Sequence, residues 1–424
     1  MSRSRSVGVC ESSGRCIRLE QAERSVLGDF LMKQICERVQ WKGREAVRQA
    51  NGIVELISLT GGGHLAAFRF LDQEGFPSHN VLWEAPWTTF EPEACWSEDM
   101  TRLFGLPETG RFLAGFTGHA LCLDYFGGPP PELTAAGLGL HGEAASARWS
   151  TVTSTEFQKA ECRFEVSLPV SKLTFERHIC LGNGQSVAYI EEAVSNNRGL
   201  EHRCDWVQHV TFGPPFFAEG ASTLIASAQS GMTSPFGYEG KSLLPIDSYF
   251  SWPFVERGSS NGSADLRLPF SEKGKGFLAG TRLDPQRKVE FLLAINWSLG
   301  LGVGYCFRRC DFPWMAIWEE NCARQDAPWN GSTQARGMEF GTTPMPLAAN
   351  GGLSDRRFSD TPRGCIIAAH GQKTARYLMF LFAVPTEMHS AERVEVTVDA
   401  VAIYDACGAV SVLVPAEGCA EFLA

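Results

Sequence analysis

No apolar run in this chain is long enough to cross a bilayer. The nearest candidate, Phe291-Leu292-Leu293-Ala294-Ile295, is strand-length and is broken by Asn296. A concentrated basic face is also missing. The formal net charge is -10 at pH 7 and the sequence pI is about 5.5, which argues against a nucleic-acid binder. Met1 to Cys10 is basic and Ser-rich but has no apolar run behind it. It does not read as a secretory signal, and a cytoplasmic location is expected. No repeat of fixed period, no low-complexity tract and no strong amphipathic helical period occurs. Metal-ligand spacing is absent too. Cys306 and Cys310 lie four apart with arginines between them, and no second pair at similar spacing completes a zinc site. No metal and no cofactor is therefore expected.

What the chain does have is length, cysteine and turn residues. Its 424 residues suit one large all-β domain or two ordinary ones. Hydrophobic residues make up 44% and charged residues 20%, a normal globular mix. The 14 cysteines are scattered rather than clustered, as expected of reduced, mostly buried thiols. Residues 1–44 read as an N-terminal extension, with helical character at Leu19-Glu20-Gln21-Ala22-Glu23-Arg24 and from Phe30 to Cys36. The domain proper is expected over 45–424.

From Asn51 the texture changes. Val54 to Leu59 has strand character, Gly61-Gly62-Gly63 turns, and His64 to Phe70 returns. Alternating runs follow at Cys162 to Leu168 and Leu173 to Ile179, and further strand-like runs at Ser186 to Val194, Ala375 to Phe382 and Val394 to Val398. The 43 glycines and 22 prolines punctuate them. Many strands and few, short helices predict a large antiparallel β-sandwich, all-β in class. Such a sandwich buries two inner faces and leaves a broad concave outer face.

Three residues stand in unusual surroundings. Glu339 sits in Arg336-Gly337-Met338-Glu339-Phe340-Gly341-Thr342-Thr343-Pro344, which reads as a turn-rich stretch. His141 sits in Leu140-His141-Gly142-Glu143, and His209 in Gln208-His209-Val210-Thr211-Phe212-Gly213. One carboxylate and two imidazoles can move protons on a neutral substrate without metal or cofactor. Met338 and Phe340 flank Glu339 and are placed to desolvate it, unless strand alternation turns them away. Each of the three also has a plain reading: a solvated turn for Glu339, a loop tie for His141, a core histidine for His209.

These segments resemble, in order, those of the galactose mutarotase-like superfamily, the fold of aldose 1-epimerases. Asn51 to Leu56 through Gly61-Gly62-Gly63-His64-Leu65 resembles its first hairpin, and Asn80-Val81-Leu82-Trp83-Glu84 an early strand. Leu140-His141-Gly142 is similar to its first active-site histidine motif. Asn196 followed by His209 resembles the strand pair carrying the second histidine. Met315 to Asn321 resembles an aromatic strand, and Gly337-Met338-Glu339 with Pro344 the turn bearing the general base. The likeness covers roughly residues 45–420. It implies a supersandwich, anomer interconversion of a sugar, and Glu339, His209 and His141 as catalytic residues. The sequence departs from the pattern after His141, where Glu143 to Ala147 replace a nearby arginine and Arg148 comes late. Val210 to Pro215 replace the usual context of the second histidine.

Trp83, Trp318 and Trp329 are candidates to stack on a sugar face, Trp329 being the one expected to be exposed. Arg336 is placed to hold a sugar hydroxyl. Asp124 beside Tyr125-Phe126-Gly127-Gly128, and Glu319 and Glu320, are further candidates. Two other classes remain open: a non-catalytic carbohydrate-binding protein on the same fold, and a glycoside hydrolase or lyase, for which Glu143 would pair with Glu339. A small sugar is the expected partner, with no nucleic acid and no membrane. Oligomeric state is not legible.

Overall fold

The alternation of Ala160–Leu168 and Leu173–Leu181 is carried into structure directly: every second residue is buried, and the two strands pair in register. The computed structural model describes residues 34–72, 75–154, 160–257, 262–346, 358 and 360–424. Among the described residues the strands form a 14-stranded sheet, an 8-stranded sheet and a 3-stranded sheet, with antiparallel pairing throughout. The fold is a large all-β sandwich with short helices, as the sequence predicts.

The main core lies between the two large sheets. Phe68, Val210, Met338 and Phe340 come from one, Phe175, Ile190, Tyr305 and Met379 from the other. The 8-stranded sheet turns its second face, with Leu293, Leu378 and Phe380, toward Val394, Val401 and Ile403 of the small sheet. Burying a side chain of this size removes it from water at a gain of about 1.5–3 kcal/mol each. No helix among the described residues is long and apolar enough to cross a membrane.

Two readings of local structure need correction. Ile35–Trp41 is a strand, paired residue by residue with Arg44–Ala50. Residues 35–44 thus belong to the large sheet rather than to an extension, and Cys36 is not helical. Cross-strand pairing outweighs the weak helical preference of these residues. The helical reading of Leu19 to Arg24, and of Phe30 to Lys33, lies outside the described residues. Residues 80–84 form no regular strand. Asn80 instead ties them to the neighbouring strand, its Oδ1 accepting from Phe68 N at 3.1 Å and its Nδ2 donating to Ala66 O.

Two helices that the sequence reading missed matter most for the site. Glu98–Phe104 is capped by Ser97, whose Oγ accepts from Met100 N at 3.2 Å, and it ends at Gly105 with φ +84°. Pro107–Gly115 then starts on a proline, a residue suited to the first helical turn. Phe112 on this second helix and Phe116 just after it pack with Trp83, Trp318 and Trp329 on the outer face of the 14-stranded sheet.

Candidate active site

The site is built on adjacent strands of the 14-stranded sheet. In order these are His119–Asp124, His202–Phe212, Gln334–Gly341, Trp314–Asn321 and Lys275–Leu283. Their registers place Ala120, His209, Glu339 and Ala316 in one cross-strand row. Strand alternation sends these side chains outward while Val210, Met338 and Phe340 enter the main core. Glu339 therefore lies mid-strand, not in a turn, and Met338 and Phe340 are turned away from its carboxylate. What desolvates Glu339 is the layer above it.

Small neighbours make room for the carboxylate. A Cβ on Gly337, two residues earlier on the same face, would come within 2.2 Å of Glu339 Oε1. Ala120 and Ala316 flank the row on either side. The lid of aromatic residues leaves a cavity of about 260 Å³. His141, His209 and Glu339 face it together with Phe112, Trp318 and Trp329. A pyranose ring fits such a space, with rings to stack on and few polar groups to orient it.

His209 Nε2 lies 3.4 Å from Glu339 Oε1. The contact is not a formed hydrogen bond, and Oε1 is buried without a partner. Burial pushes the Glu339 carboxyl well above the usual carboxylate range. Burial pushes the His209 imidazole down to about 4. Both directions favour the neutral forms over an ion pair. Orphaned polar atoms are rare in protein interiors, and one aimed at a cavity points to a ligand. On its other side His209 Nδ1 meets Thr211 Oγ1 at 3.1 Å.

His141 reaches the same cavity from a loop. Its ring centre is 5.5 Å from that of His209 and 4.6 Å from that of Phe112. The backbone is left-handed here, with φ +63° at His141 and +83° at Gly142. Glycine is required at 142 because a Cβ would fall 1.8 Å from Leu123 O. Gly127 N donates to His141 Nδ1 at 3.1 Å. A backbone amide only donates, so the neutral ring must carry its proton on Nε2. Burial, and then the nearby His209, hold the His141 imidazole well below its usual value.

Trp318 is locked by a polar chain: its Nε1 donates to Tyr238 Oη at 2.9 Å, and that hydroxyl donates to Glu320 Oε2 at 2.7 Å. Trp329 is buried rather than exposed, at 6% accessibility, because its ring packs edge-on against Trp87 and Trp318.

Three expected sugar ligands lie elsewhere. Arg336 is on the inner face, where it pairs with Glu319, donates to Leu266 O at 2.8 Å and lies over Phe217 and Phe277. Three residues from Glu339 along a strand means the opposite side of the sheet. Trp83 stands behind Phe116 and donates from Nε1 to Gln334 O at 3.1 Å, so it supports the lid without lining the cavity. Asp124, with φ +77°, accepts from His202 Nε2 at 2.6 Å and does not face the cavity. Glu143 accepts from the amides of Val170 and Ser171 at 3.1 and 2.7 Å. It is therefore not placed to partner Glu339 in a two-carboxylate hydrolase. Glu339 is the one carboxylate among the described residues lining the cavity.

Other lining residues escaped the sequence reading, among them Phe112, Phe116, Leu278 and Arg324. For Phe112 a signal existed in the cap at Ser97 and the breakers Gly105 and Pro107. For Arg324, which follows the strand Trp314–Asn321, sequence offers none.

No protein-family model matches the chain, and no curated protein does. Solved structures do. A candidate aldose 1-epimerase from Klebsiella pneumoniae superposes with a TM-score of 0.56 at 14% identity, covering 83% of this chain and 84% of that one. A galactose mutarotase-like protein from Clostridium acetobutylicum gives 0.53 at 13%, covering 83% and 99%. A galactose mutarotase related enzyme from Lactobacillus acidophilus gives 0.50 at 11%, covering 84% and 100%. At such identities the likeness establishes the fold, a galactose mutarotase-like β-sandwich, and leaves chemistry to be argued from the site.

Proposed function

We propose that this protein is an aldose 1-epimerase-like enzyme that interconverts the α and β anomers of a sugar by general acid/base catalysis. The observation that carries the reading is the unpartnered Glu339 Oε1, 3.4 Å from His209 Nε2 at the wall of an aromatic cavity.

The Glu339–His209 pair holds one exchangeable proton. In one form the carboxyl carries it; in the other a carboxylate faces an imidazolium. The two forms have the same total charge, so a dry cavity can pass between them without importing an ion. Sugar hydroxyls entering the cavity solvate the charged form. The Glu339 carboxylate then takes the proton of the anomeric hydroxyl O1. The O1–H electron pair forms the C1=O bond, the C1–O5 bond breaks, and O5 receives the proton of the His209 imidazolium. The result is an open-chain aldehyde with a protonated Glu339 and a neutral His209. Rotation about C1–C2 and the reverse transfers close the ring as the other anomer and restore the pair. His141, with its proton on Nε2, donates to a substrate oxygen and stabilises charge developing there.

Polarimetry on freshly dissolved α-glucose and α-galactose tests the reading. Wild type is expected to accelerate the approach to equilibrium for at least one sugar, and Glu339→Gln to abolish that acceleration. A variant as fast as wild type removes Glu339 from the base role. Binding without acceleration by wild type would leave a carbohydrate-binding protein on the same fold.

A further inference from the structure

Arg324 has donors to spare but no charge to spare. Its guanidinium lies 4.8 Å from the Trp329 ring centre and 5.0 Å from that of Tyr238, an arrangement that fixes its plane. Nε donates to Glu239 Oε1 at 3.0 Å. Nη1 stands 3.8 Å from Glu320 Oε2, beyond hydrogen-bond reach. Glu320 is already engaged by Tyr238 Oη and by the amides of Ala323 and Arg324. Neither Nη1 nor Nη2 has a hydrogen-bond acceptor among the described residues. The side chain lines the cavity and keeps 26% of its surface accessible.

The charges around it already cancel. Glu239 and Glu320 face Arg324, and Lys241 donates to the carbonyl of Ala323 next door. Two cations stand against two carboxylates. A phosphate or carboxylate on the substrate would meet two acidic groups in surroundings with no net positive charge. Hydroxyl oxygens need only donors, and the planar fork of Nη1 and Nη2 suits two oxygens on adjacent carbons.

Resting on the anomer-interconversion reading, we infer that Arg324 is the substrate-positioning residue of the cavity and that the substrate is a neutral aldopyranose, held through adjacent hydroxyls, rather than a sugar phosphate or uronate. It reaches the cavity from the loop that follows the strand Trp314–Asn321.

The test measures anomer interconversion by NMR for glucose, galactose and glucose 6-phosphate, on wild type, Arg324→Lys and Arg324→Met. Wild type is expected to favour a neutral sugar over the phosphate by about tenfold or more in kcat/KM. Arg324→Met is expected to raise KM for that sugar by about tenfold while kcat stays within about threefold. Arg324→Lys, which keeps the charge but loses the fork, falls between. A melting temperature for each variant separates misfolding from lost binding. An Arg324→Met KM within about twofold of wild type overturns the assignment. So does a wild-type preference for the phosphate that Arg324→Met abolishes. Should wild type accelerate none of the three sugars, the catalytic reading fails by itself. Calorimetric titration of the same sugars then decides Arg324: weaker neutral-sugar binding in Arg324→Met upholds its role, and equal or absent binding overturns it.

Discussion

Gln208 and His209 are neighbours on one strand, and the two faces of that strand treat polar groups in opposite ways. Inward, Gln208 joins a network centred on the Glu192 carboxylate. Its Nε2 donates to Glu192 Oε2 at 2.6 Å, and its Oε1 contacts His119 Nε2 at 2.9 Å. Glu192 also accepts from Arg177 Nε at 2.7 Å, Trp206 Nε1 at 3.1 Å and Tyr377 Oη at 2.9 Å. Outward, His209 and Glu339 face each other at 3.4 Å with an acceptor left over. Both regions are buried, so burial alone does not mark a site. What separates them is satisfaction: the inner carboxylate has its partners in the fold, whereas the outer one lacks them and opens on a cavity. The same contrast divides Arg336, bonded inside, from Arg324, whose Nη donors are free outside.

The largest expected effect breaks this contrast from the outside. Glu339→Gln should lower kcat by about 10²–10⁴-fold, the usual worth of a general base, while the melting temperature holds or rises. Equal loss of both would make Glu339 a structural residue. From the inside the reverse is expected. Glu192→Ala strands the Arg177 charge and should cost about 3–5 kcal/mol in urea unfolding. The folded fraction should keep its turnover; a kcat collapse at full stability would merge the two regions into one.

Acid sharpens the comparison further. His209 titrates near 4 when folded, against 6.5 as its ordinary value. As pH falls the unfolded chain takes the proton first, so stability is full above about 6.5 and is lost progressively from there down to about 4. The loss should reach about 2 kcal/mol at pH 5 from this residue alone. Urea unfolding at pH 7.5 and pH 5 should show it, and His209→Asn should reduce the difference by that amount. An unchanged pH dependence would mean that His209 is not desolvated. The smallest effect probes space. Gly337→Ala pushes a methyl into Glu339 Oε1 and should lower kcat about tenfold at about 1–3 kcal/mol of stability. Unaltered kinetics would show that the carboxylate position is not critical.

The fold was largely legible because strand alternation and glycine turns are local signals. Residues 160–168 and 173–181 declare their buried face in the sequence, and the order of the histidine and glutamate segments pointed to the sandwich type. Register was not legible. It decides that Glu339 meets His209, and that Arg336, three residues away, points into the core instead. Trp83 and Asp124 misled for a related reason: residue type marks a capacity to bind, not the direction in which the side chain faces. The lid helix carrying Phe112 was punctuated by Ser97, Gly105 and Pro107, yet its short, weakly amphipathic span gave no period to follow. Arg324 became visible only when stacking on Trp329 and the balance with Glu239 and Glu320 could be seen in three dimensions.

Crystals soaked to saturation in glucose and galactose test the central claim most directly. The account predicts a pyranose in the cavity, with its anomeric oxygen about 2.6–3.2 Å from the Glu339 carboxylate and its ring oxygen on the His209 side. A sugar bound elsewhere, or a cavity that stays sugar-free at saturation, would contradict it.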